Sequence, residues 1–540
     1  LIIFFLLLAF RSGWGIMIPQ VVIFASMIWV VGAMGLSGEP MNIILTVLPS
    51  IIFIVGMSDV VHLVSRYLDA LRTEKTVFDA IILSAKEVGL ATLLTSVTTS
   101  IGFFSLYFVR VQPIQIFGIV MGFGVLVAFL LTFLTLPALF YIFPGPKFVR
   151  EKPKDHYWQK YLQRWFPWVI KNRRRILILG IGLVAIFTVG MFQIESDNYL
   201  MDDLKADEPL KLDFNFLDDH YGGVRPFELA VEITDPELTV WDMGVLKQAD
   251  SIEQFLIEEY GLELKVSLVN SLKIMNRSSR MGDAAYFKLP ESKRKLKTLR
   301  RGLRIAGSGE FYKTFVDSAE RIMRISGTMN DLGNNKVTEL DAKLNKFLAE
   351  KEKSGIADYT ITGTAHLFDK NLGYLSISLV KGLAISILIV ALLIGLIYRS
   401  WRILIISIIP NVFPLLVIAG LMGYFGIELK TSTAIIFTIA FGIAVDDTIH
   451  FLGKFKYELM QGKSHLYALK RSYMTTGKAM ILTTLILCAG FLLLICSSFL
   501  GTYYMGVMLC ITLFVALIAD LTLLPVLLLL FYKPTRRERK

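Results

Sequence analysis

Two short Asp–His motifs lie inside apolar stretches of this 540-residue chain, at Ser58–His62 and at Asp446–His450. Residues three or four apart share one face of a helix, so each histidine lies beside an acid. Acids cost about 2.5–3.5 kcal/mol each at the centre of a bilayer and usually serve a function there. Carboxyl and imidazole groups together can bind and release protons near neutral pH. The motifs therefore predict a proton relay formed by Asp59, His62, Asp446, Asp447 and His450.

Hydroxyl side chains near the motifs are expected to hydrogen-bond to the acids: Ser58, Thr95, Thr98, Thr99, Thr483 and Thr484. Two other interpretations stay open. Arg66 or Lys454 follows each motif by four residues, so each motif could be a helix end whose charges reach the membrane surface. The histidines and acids could also bind a metal ion, although their spacing matches no common metal motif. We expect no metal and no cofactor. Asp520, five residues before Pro525, is assigned a structural or interfacial role.

The elements that carry these residues are predicted to be membrane helices. Hydrophobic residues make up 54% of the chain, and the mean hydropathy is +0.59. A helix needs about 20 apolar residues to cross a bilayer. Charged amphipathic stretches at 65–87 and 454–476 follow the third and the ninth apolar segment. The eleven segments lie at 1–10, 16–36, 42–64, 88–109, 114–143, 176–194, 373–397, 403–425, 431–453, 477–497 and 503–532.

An internal repeat relates the two motifs at a shift of 388 positions. Residues 50–142 align with 438–530 without a gap, and 21 of the 93 pairs are identical. The two copies have the same predicted orientation, so the repeat is a parallel one. A helix and a soluble segment precede the second copy. We therefore expect a further helix and a second soluble domain, roughly 210 residues in all, before residue 1. The identical pairs include Asp59 with Asp447 and His62 with His450.

Residues 195–372 have the composition of a soluble domain. Alternating apolar residues predict a strand at 226–233, which is followed by a predicted helix at 241–260 and a strand at 262–269. The pattern returns with a strand near 321–329, a helix at 337–353 and a strand at 358–363. The two strand–helix–strand units predict two small α+β subdomains.

Charge and cysteine content predict the location of these segments. The 144–175 segment holds ten Lys or Arg residues and the 533–540 tail holds five, which places both in the cytoplasm by the positive-inside rule. Residues 195–372 are then extracytoplasmic. Their lack of cysteine favours a bacterial or archaeal protein in the cell (inner or plasma) membrane. The net charge of +11 comes from basic residues concentrated in the loops beside the predicted helices, so it does not indicate nucleic-acid binding.

The chain resembles the resistance-nodulation-division (RND) superfamily in three features. These are the Gly56–His62 motif, the Gly442–His450 motif, and a half made of one helix, a soluble domain and five further helices. The resemblance is to its exporter branch, with the mycobacterial large membrane proteins (MMPL) and hopanoid transporters, and to sterol-sensing-domain proteins such as Patched. It implies twelve helices in two halves, each with a ferredoxin-like α+β porter domain, and a proton relay on the fourth and tenth helices. Antibiotic-efflux members have the acid pair on the fourth helix and a lysine on the tenth. Here the pair is Asp446 and Asp447, on the tenth.

The resemblance divides the chain into helices 2–6 (1–143), a basic amphipathic linker (144–175), helix 7 (176–194), the porter domain (195–372), helices 8–12 (373–532) and a tail (533–540). It implies a proton-driven exporter of lipids or other hydrophobic compounds, with sodium as the alternative coupling ion. A homo-oligomer is one option. The short insertion predicts no docking to an outer-membrane channel. A lipid-responsive receptor of the sterol-sensing type and a protein-translocation subunit are the alternatives. No nucleophile–base pair or phosphate loop indicates an enzyme.

Overall fold

The computed structural model describes residues 2–10, 12–42, 44–71, 76–109, 111–145, 157–195, 197–306 and 310–532. The chain forms two compact units. The membrane unit comprises Leu1–Glu195 and Tyr374–Lys540, and the inserted unit comprises Ser196–Gly373. The predicted tail at 533–540 and residues 146–156 of the predicted linker lie outside the described residues.

Twelve helices are assigned to the membrane unit within the described ranges, and one of them, α14, begins in the inserted unit. The first seven are α1 (Ile2–Phe10), α2 (Gly13–Ser37), α3 (Leu48–Ala70), α4 (Val77–Phe104), α5 (Gln112–Ile142), α6 (Tyr157–Lys171) and α7 (Arg173–Met191). The inserted unit follows with α8 (Pro209–His220), β1 (Arg225–Ile233), α9 (Met243–Tyr260), β2 (Glu263–Ser267), α10 (Leu268–Ser278), α11 (Lys293–Ala306), α12 (Glu310–Lys313), β3 (Ile322–Met329), α13 (Gly333–Glu352) and β4 (Ala357–Thr362). The chain then continues with α14 (Thr364–Tyr398), α15 (Trp401–Tyr424), α16 (Thr431–Met460), α17 (His465–Phe491) and α18 (Leu500–Phe531).

Nine helices of the described part of the chain are long and apolar enough to cross a membrane. They are α2, α3, α5, α7 and α14 to α18. Of the other two predicted segments, α1 has only nine residues. The other, α4, has 28 residues, but its first half is charged and its second half is rich in serine and threonine. The prediction of a polytopic helical membrane protein is confirmed.

The two amphipathic stretches are not separate elements. Helix α3 continues to Ala70 and α16 continues to Met460, past the ends of their predicted apolar segments. The following helices begin at side-chain caps, because Thr76 accepts a hydrogen bond from the Asp79 N–H and Ser464 accepts one from the Tyr467 N–H. Such caps satisfy backbone donors that have no partner within a helix. Each stretch is therefore divided between the end of one helix and the start of the next.

Helices α3 and α16, which carry the two Asp–His motifs, lie at the centre of the membrane unit. Within their apolar windows, 78% of α3 and 89% of α16 is buried, compared with 6% of α7. Helix α3 packs against α4 and α17, and α16 packs against α4, α15, α17 and α18. A helix buried on all sides can enclose polar side chains that would be costly in lipid.

The described residues of the inserted unit form one sheet, in contrast to the prediction of two subdomains. Its four strands are antiparallel in the order β2-β3-β1-β4. Strand β1 pairs with β3 and β4, so the two strand–helix–strand units interlock in the ferredoxin-like arrangement. The alternating side chains of β1 fill the core beneath helices α9 and α13. Arg225, which is 2% exposed, donates hydrogen bonds to Asp331 at 2.8 Å and to Asp369 in the first turns of α14.

Candidate functional site

The side chains of the two Asp–His motifs are enclosed by protein. Asp59 and Asp446 are each 7% exposed, and His62 and His450 are each 6% exposed. The basic residues of the next turn are held by acids, since Arg66 lies 2.8 Å and Lys454 lies 3.7 Å from Glu87 of α4. The four motif side chains therefore face other helices.

Hydrogen bonds between helices fix both acids. The Ser58 hydroxyl donates to Asp446 Oδ2 at 2.6 Å, which joins α3 to α16. The Ser96 hydroxyl of α4 donates to Asp59 Oδ2 at 2.8 Å. We call Ser58, Asp59, His62, Asp446 and His450 the central cluster. Beside it, Thr99 of α4 donates to the Gly442 carbonyl of α16 at 2.8 Å.

The two histidines of the central cluster stack on each other. Their ring centroids are 4.0 Å apart and their planes differ by 13°. His450 Nε2 lies 3.3 Å from Asp446 Oδ1, which is close enough for an ion pair but lacks the alignment of a hydrogen bond. Two positive rings at this distance in a buried site would repel each other strongly. The stack therefore favours at most one charged imidazole, next to a carboxylate that can stabilise it.

Three groups of the cluster could contribute ligands to a metal ion. One ligand atom each from His62, Asp446 and His450 lies within 4.8 Å of the others. An imidazole nitrogen binds zinc at about 2.0–2.1 Å through a lone pair in the plane of its ring. Nearly parallel rings cannot both direct that lone pair to one point. In this conformation the cluster suits proton sharing better than metal binding.

Asp447 faces away from the central cluster. It is within hydrogen-bond reach of Thr484 on α17, and it interacts electrostatically with the adjacent Asp446 and, less strongly, with Asp520 on α18. Asp447 and Thr484 correspond through the repeat to Asp59 and Ser96, so each half has one acid held by a hydroxyl of the next helix. The sequence predicted that Asp446, Asp447 and His450 share one face of their helix. The structure divides them, because consecutive helical residues point about 100° apart.

The other predicted hydroxyl groups have different partners. Thr98 donates to the Thr95 carbonyl and Thr483 to the Met480 carbonyl, each on its own helix. Thr95 donates to the Thr92 carbonyl and is also within hydrogen-bond reach of Asp59. A small cavity beside Asp59 and Asp446, with Thr95 and Ser96 in its wall, has room for about one water molecule.

A buried polar group that the sequence did not predict lies on the other side of α16. Asp520 is 1% exposed, and the Thr448 hydroxyl lies 2.6 Å from its Oδ1 and 3.3 Å from Asn411 Oδ1. The sequence assigned Asp520 a structural or interfacial role and predicted no contact of Asp520 with Thr448 or Asn411. We call these three residues the Asp520 group. An acid buried within a membrane helix was the signal that could have identified it.

Comparison with known proteins gives one family and two relatives. The family model described as the MMPL family matches residues 1–175 and 322–539. A membrane protein of Methanocaldococcus jannaschii is 28% identical over 141 residues, which is 26% of this chain and 36% of that protein. The hopanoid transporter HpnN of Burkholderia multivorans is 28% identical over 184 residues, which is 34% of this chain and 21% of that protein. The chain therefore matches well under two thirds of either relative's length.

Proposed function

The chain belongs to the MMPL family, and on that premise we propose that it is an RND-type secondary transporter that moves lipids or other hydrophobic compounds. The relative named a hopanoid transporter supports a lipid-like cargo. The family and this relative favour a transporter over an enzyme. We further propose that proton binding at Asp59, His62, Asp446, Asp447 and His450 drives the cycle.

The observation that carries the proposal is the contact between the two halves at the central cluster. Matched positions of the repeat meet there, because Ser58 donates to Asp446 and His62 stacks on His450. A proton that enters this cluster changes the charge shared by α3 and α16. One charged ring is attracted to Asp446, whereas two charged rings repel each other. Protonation would thus bias two arrangements of the halves, as a coupled transporter requires.

The remaining assignments follow from the charge distribution and the family. We propose that residues 195–372 form an extracytoplasmic porter domain and that the 144–175 linker and the C-terminus are cytoplasmic. Protons are the proposed coupling ions because imidazoles accompany the acids. Sodium prefers oxygen ligands, so the His62–His450 stack would contribute little to a sodium site.

Proton movement in liposomes tests the proposal. The full-length protein would be reconstituted under an imposed pH gradient, and internal pH would be followed with a dye. Wild type is expected to move protons, whereas Asp59→Asn and Asp446→Asn are expected to abolish the movement, since an amide cannot carry the proton. Asp213→Asn, at an exposed position of α8, is the matched control and should behave as wild type.

The assay separates the proposal from its alternatives. If wild type moves no protons with or without added lipid, proton coupling is wrong, and sodium flux would be measured with the same variants. If both central variants move protons as fast as Asp213→Asn, the central cluster is not the relay. Cargo is tested in parallel by the transfer of a labelled polycyclic lipid to acceptor vesicles.

A further inference from the structure

In the Asp520 group, two side-chain oxygen atoms compete for the single proton of the Thr448 hydroxyl. Asp520 Oδ1 and Asn411 Oδ1 both lie against the Thr448 hydroxyl, at 2.6 Å and 3.3 Å. The Asn411 amide nitrogen is already used, since it donates to the Ser407 carbonyl at 2.6 Å. Asp520 Oδ2 is buried and has no hydrogen-bond partner among the described residues.

A hydroxyl group donates one hydrogen bond only. If Asp520 were ionised, Thr448 would give its proton to the carboxylate. Asn411 Oδ1 would then face a hydroxyl oxygen with no proton between them, and Oδ2 would remain an uncompensated buried charge. Each such loss costs about 1–3 kcal/mol, and more for a charged group. The ionised form therefore conflicts with the observed geometry at two atoms.

We propose that Asp520 is a proton-binding site that holds its proton in this conformation. The Asp520 O–H donates to the Thr448 oxygen, and the Thr448 O–H donates to Asn411 Oδ1. This order gives each of the two short contacts one proton and removes the charge from Oδ2. The site uses none of the residues of the proposed relay and can be tested without any transport activity.

The groups that face Asp520 define how it would act. Helix α15 contributes the uncharged Asn411 and α16 contributes Thr448. Asp447 of α16 interacts electrostatically with Asp520, less strongly than with Asp446. On the neighbouring turns of α18, Gly477 of α17 lies against Leu521 and Gly180 of α7 lies against Leu523.

The same Gly477 lies against Leu162 of α6. The titratable Tyr473 of α17 lies one turn from Gly477 and packs on Phe166. Among these named neighbours, Asp447 is the carboxyl group that interacts electrostatically with Asp520.

Infrared difference spectroscopy of the protein in lipid nanodiscs tests the site. A protonated carboxyl group has a carbonyl-stretch band that a carboxylate lacks, and exposed acids are ionised at neutral pH. The difference between the spectra of wild type and Asp520→Asn near neutral pH is expected to contain a band that corresponds to one protonated carboxyl group per chain. The asparagine amide can still donate to Thr448, so this variant keeps the hydrogen-bond order and should fold.

Glu253 of the inserted unit provides an internal reference. It is 1% exposed, it accepts a hydrogen bond from Ser267, and burial raises its pKa from 4.5 to about 7. Its carbonyl band should therefore decrease as the pH rises through about 7, and Glu253→Gln removes it. The Asp520 band is measured in the Glu253→Gln background, where the two signals cannot be confused.

A second variant tests the hydrogen-bond order. Thr448→Val keeps Asp520 but removes the acceptor of its proton, so the band should remain and shift to the frequency of a weaker hydrogen bond. Identical spectra of wild type and Asp520→Asn would overturn the proposal. A band that Thr448→Val leaves unmoved would also overturn it. Loss of the band on addition of sodium ions would replace it with a sodium site.

Discussion

The two halves of the membrane unit place different side chains at matched positions around the same helices. Asn411, Thr448 and Asp520 of the second half correspond through the shift of 388 to Ile23, Val60 and Thr132 of the first. All six side chains are buried. The second half therefore has a hydrogen-bonded polar group where the matched positions of the first half hold two apolar side chains and one threonine, although the helices that hold them are related by the repeat.

Other matched positions keep the same chemistry. His62 and His450 stack on each other, and Asp59 with Ser96 corresponds to Asp447 with Thr484. The repeat therefore preserves the helix packing and the central cluster, whereas the polar side chains of the two halves differ. A proton bound at Asp520 has no counterpart at Thr132, so the two halves would respond differently to the same change in pH.

The largest expected effect comes from giving the first half an acid at the matched position. Thr132→Asp would bury a carboxyl group at the position that matches Asp520, and neither Ile23 nor Val60, which match the partners of Asp520, has a polar side chain. We expect a loss of about 2.5–3.5 kcal/mol, the cost of an acid in a membrane helix. The apparent melting temperature in detergent, followed by tryptophan fluorescence, measures it.

The control for this substitution is Thr132→Val. Thr132 donates to the Ala128 carbonyl of its own helix at 2.7 Å, so its loss should cost about 1 kcal/mol or less. If Thr132→Asp melts no lower than Thr132→Val, the first half has an unrecognised partner for an acid, and the contrast between the halves is weaker than the contacts indicate.

Substitution of two matched glycines should destabilise the two halves by equal amounts. A Cβ atom at Gly118 would lie 2.6 Å from the Phe103 carbonyl oxygen, and one at the matched Gly506 would lie 2.7 Å from the Phe491 carbonyl oxygen. Backbone oxygens cannot turn aside, so Gly118→Ala and Gly506→Ala should each cost about 2 kcal/mol, within the usual range for overpacking. Gly182→Ala, where nothing lies within 4 Å, is the control in the same melting assay. Clearly unequal losses for the matched pair would mean that the repeat does not preserve this packing.

A smaller effect is expected from exchanging Thr448 and Val60 between the halves. Thr448→Val removes the hydroxyl between Asp520 and Asn411 and should cost about 1–2 kcal/mol, since buried oxygens lose a partner. Val60→Thr should cost less, because a helical threonine can donate to a carbonyl of its own helix. Denaturation of both single variants and the double variant gives the comparison. Equal losses would show that the polar group contributes no more than its apolar counterpart.

The sequence predicted much of this architecture because periodicity and repetition are local properties. The repeat matched Asp59 with Asp447 and His62 with His450, and the family resemblance implied that the two helices which carry them meet at the centre of the bundle. It could not predict that Asp447 turns toward Thr484, because that depends on the rotation of α16. The hydrogen bonds of Asp520 were not predicted for a similar reason. Its partners come from α15 and α16, which are 109 and 72 residues away by sequence number.

In the inserted unit, too, contacts between residues distant in sequence could not be predicted. Each strand could be predicted from its alternating residues, but pairing joins strands that are distant in sequence. The two strand–helix–strand patterns therefore looked like separate subdomains. Only the register of β1 with β3 and β4 shows that they form one sheet.

That strand order also has a consequence for how the chain is made. The central strand β1 is complete at Ile233, but its second partner β4 is complete only at Thr362, and α14 begins two residues later at Thr364. A ribosome would synthesise nearly the whole insertion before all four strands could pair. Contacts between residues so far apart in sequence also form slowly. During that interval β1 would have unpaired edges, which are prone to aggregate. Folding of this protein during synthesis would then depend on protection of the β1 edges until β4 and the start of α14 have been made.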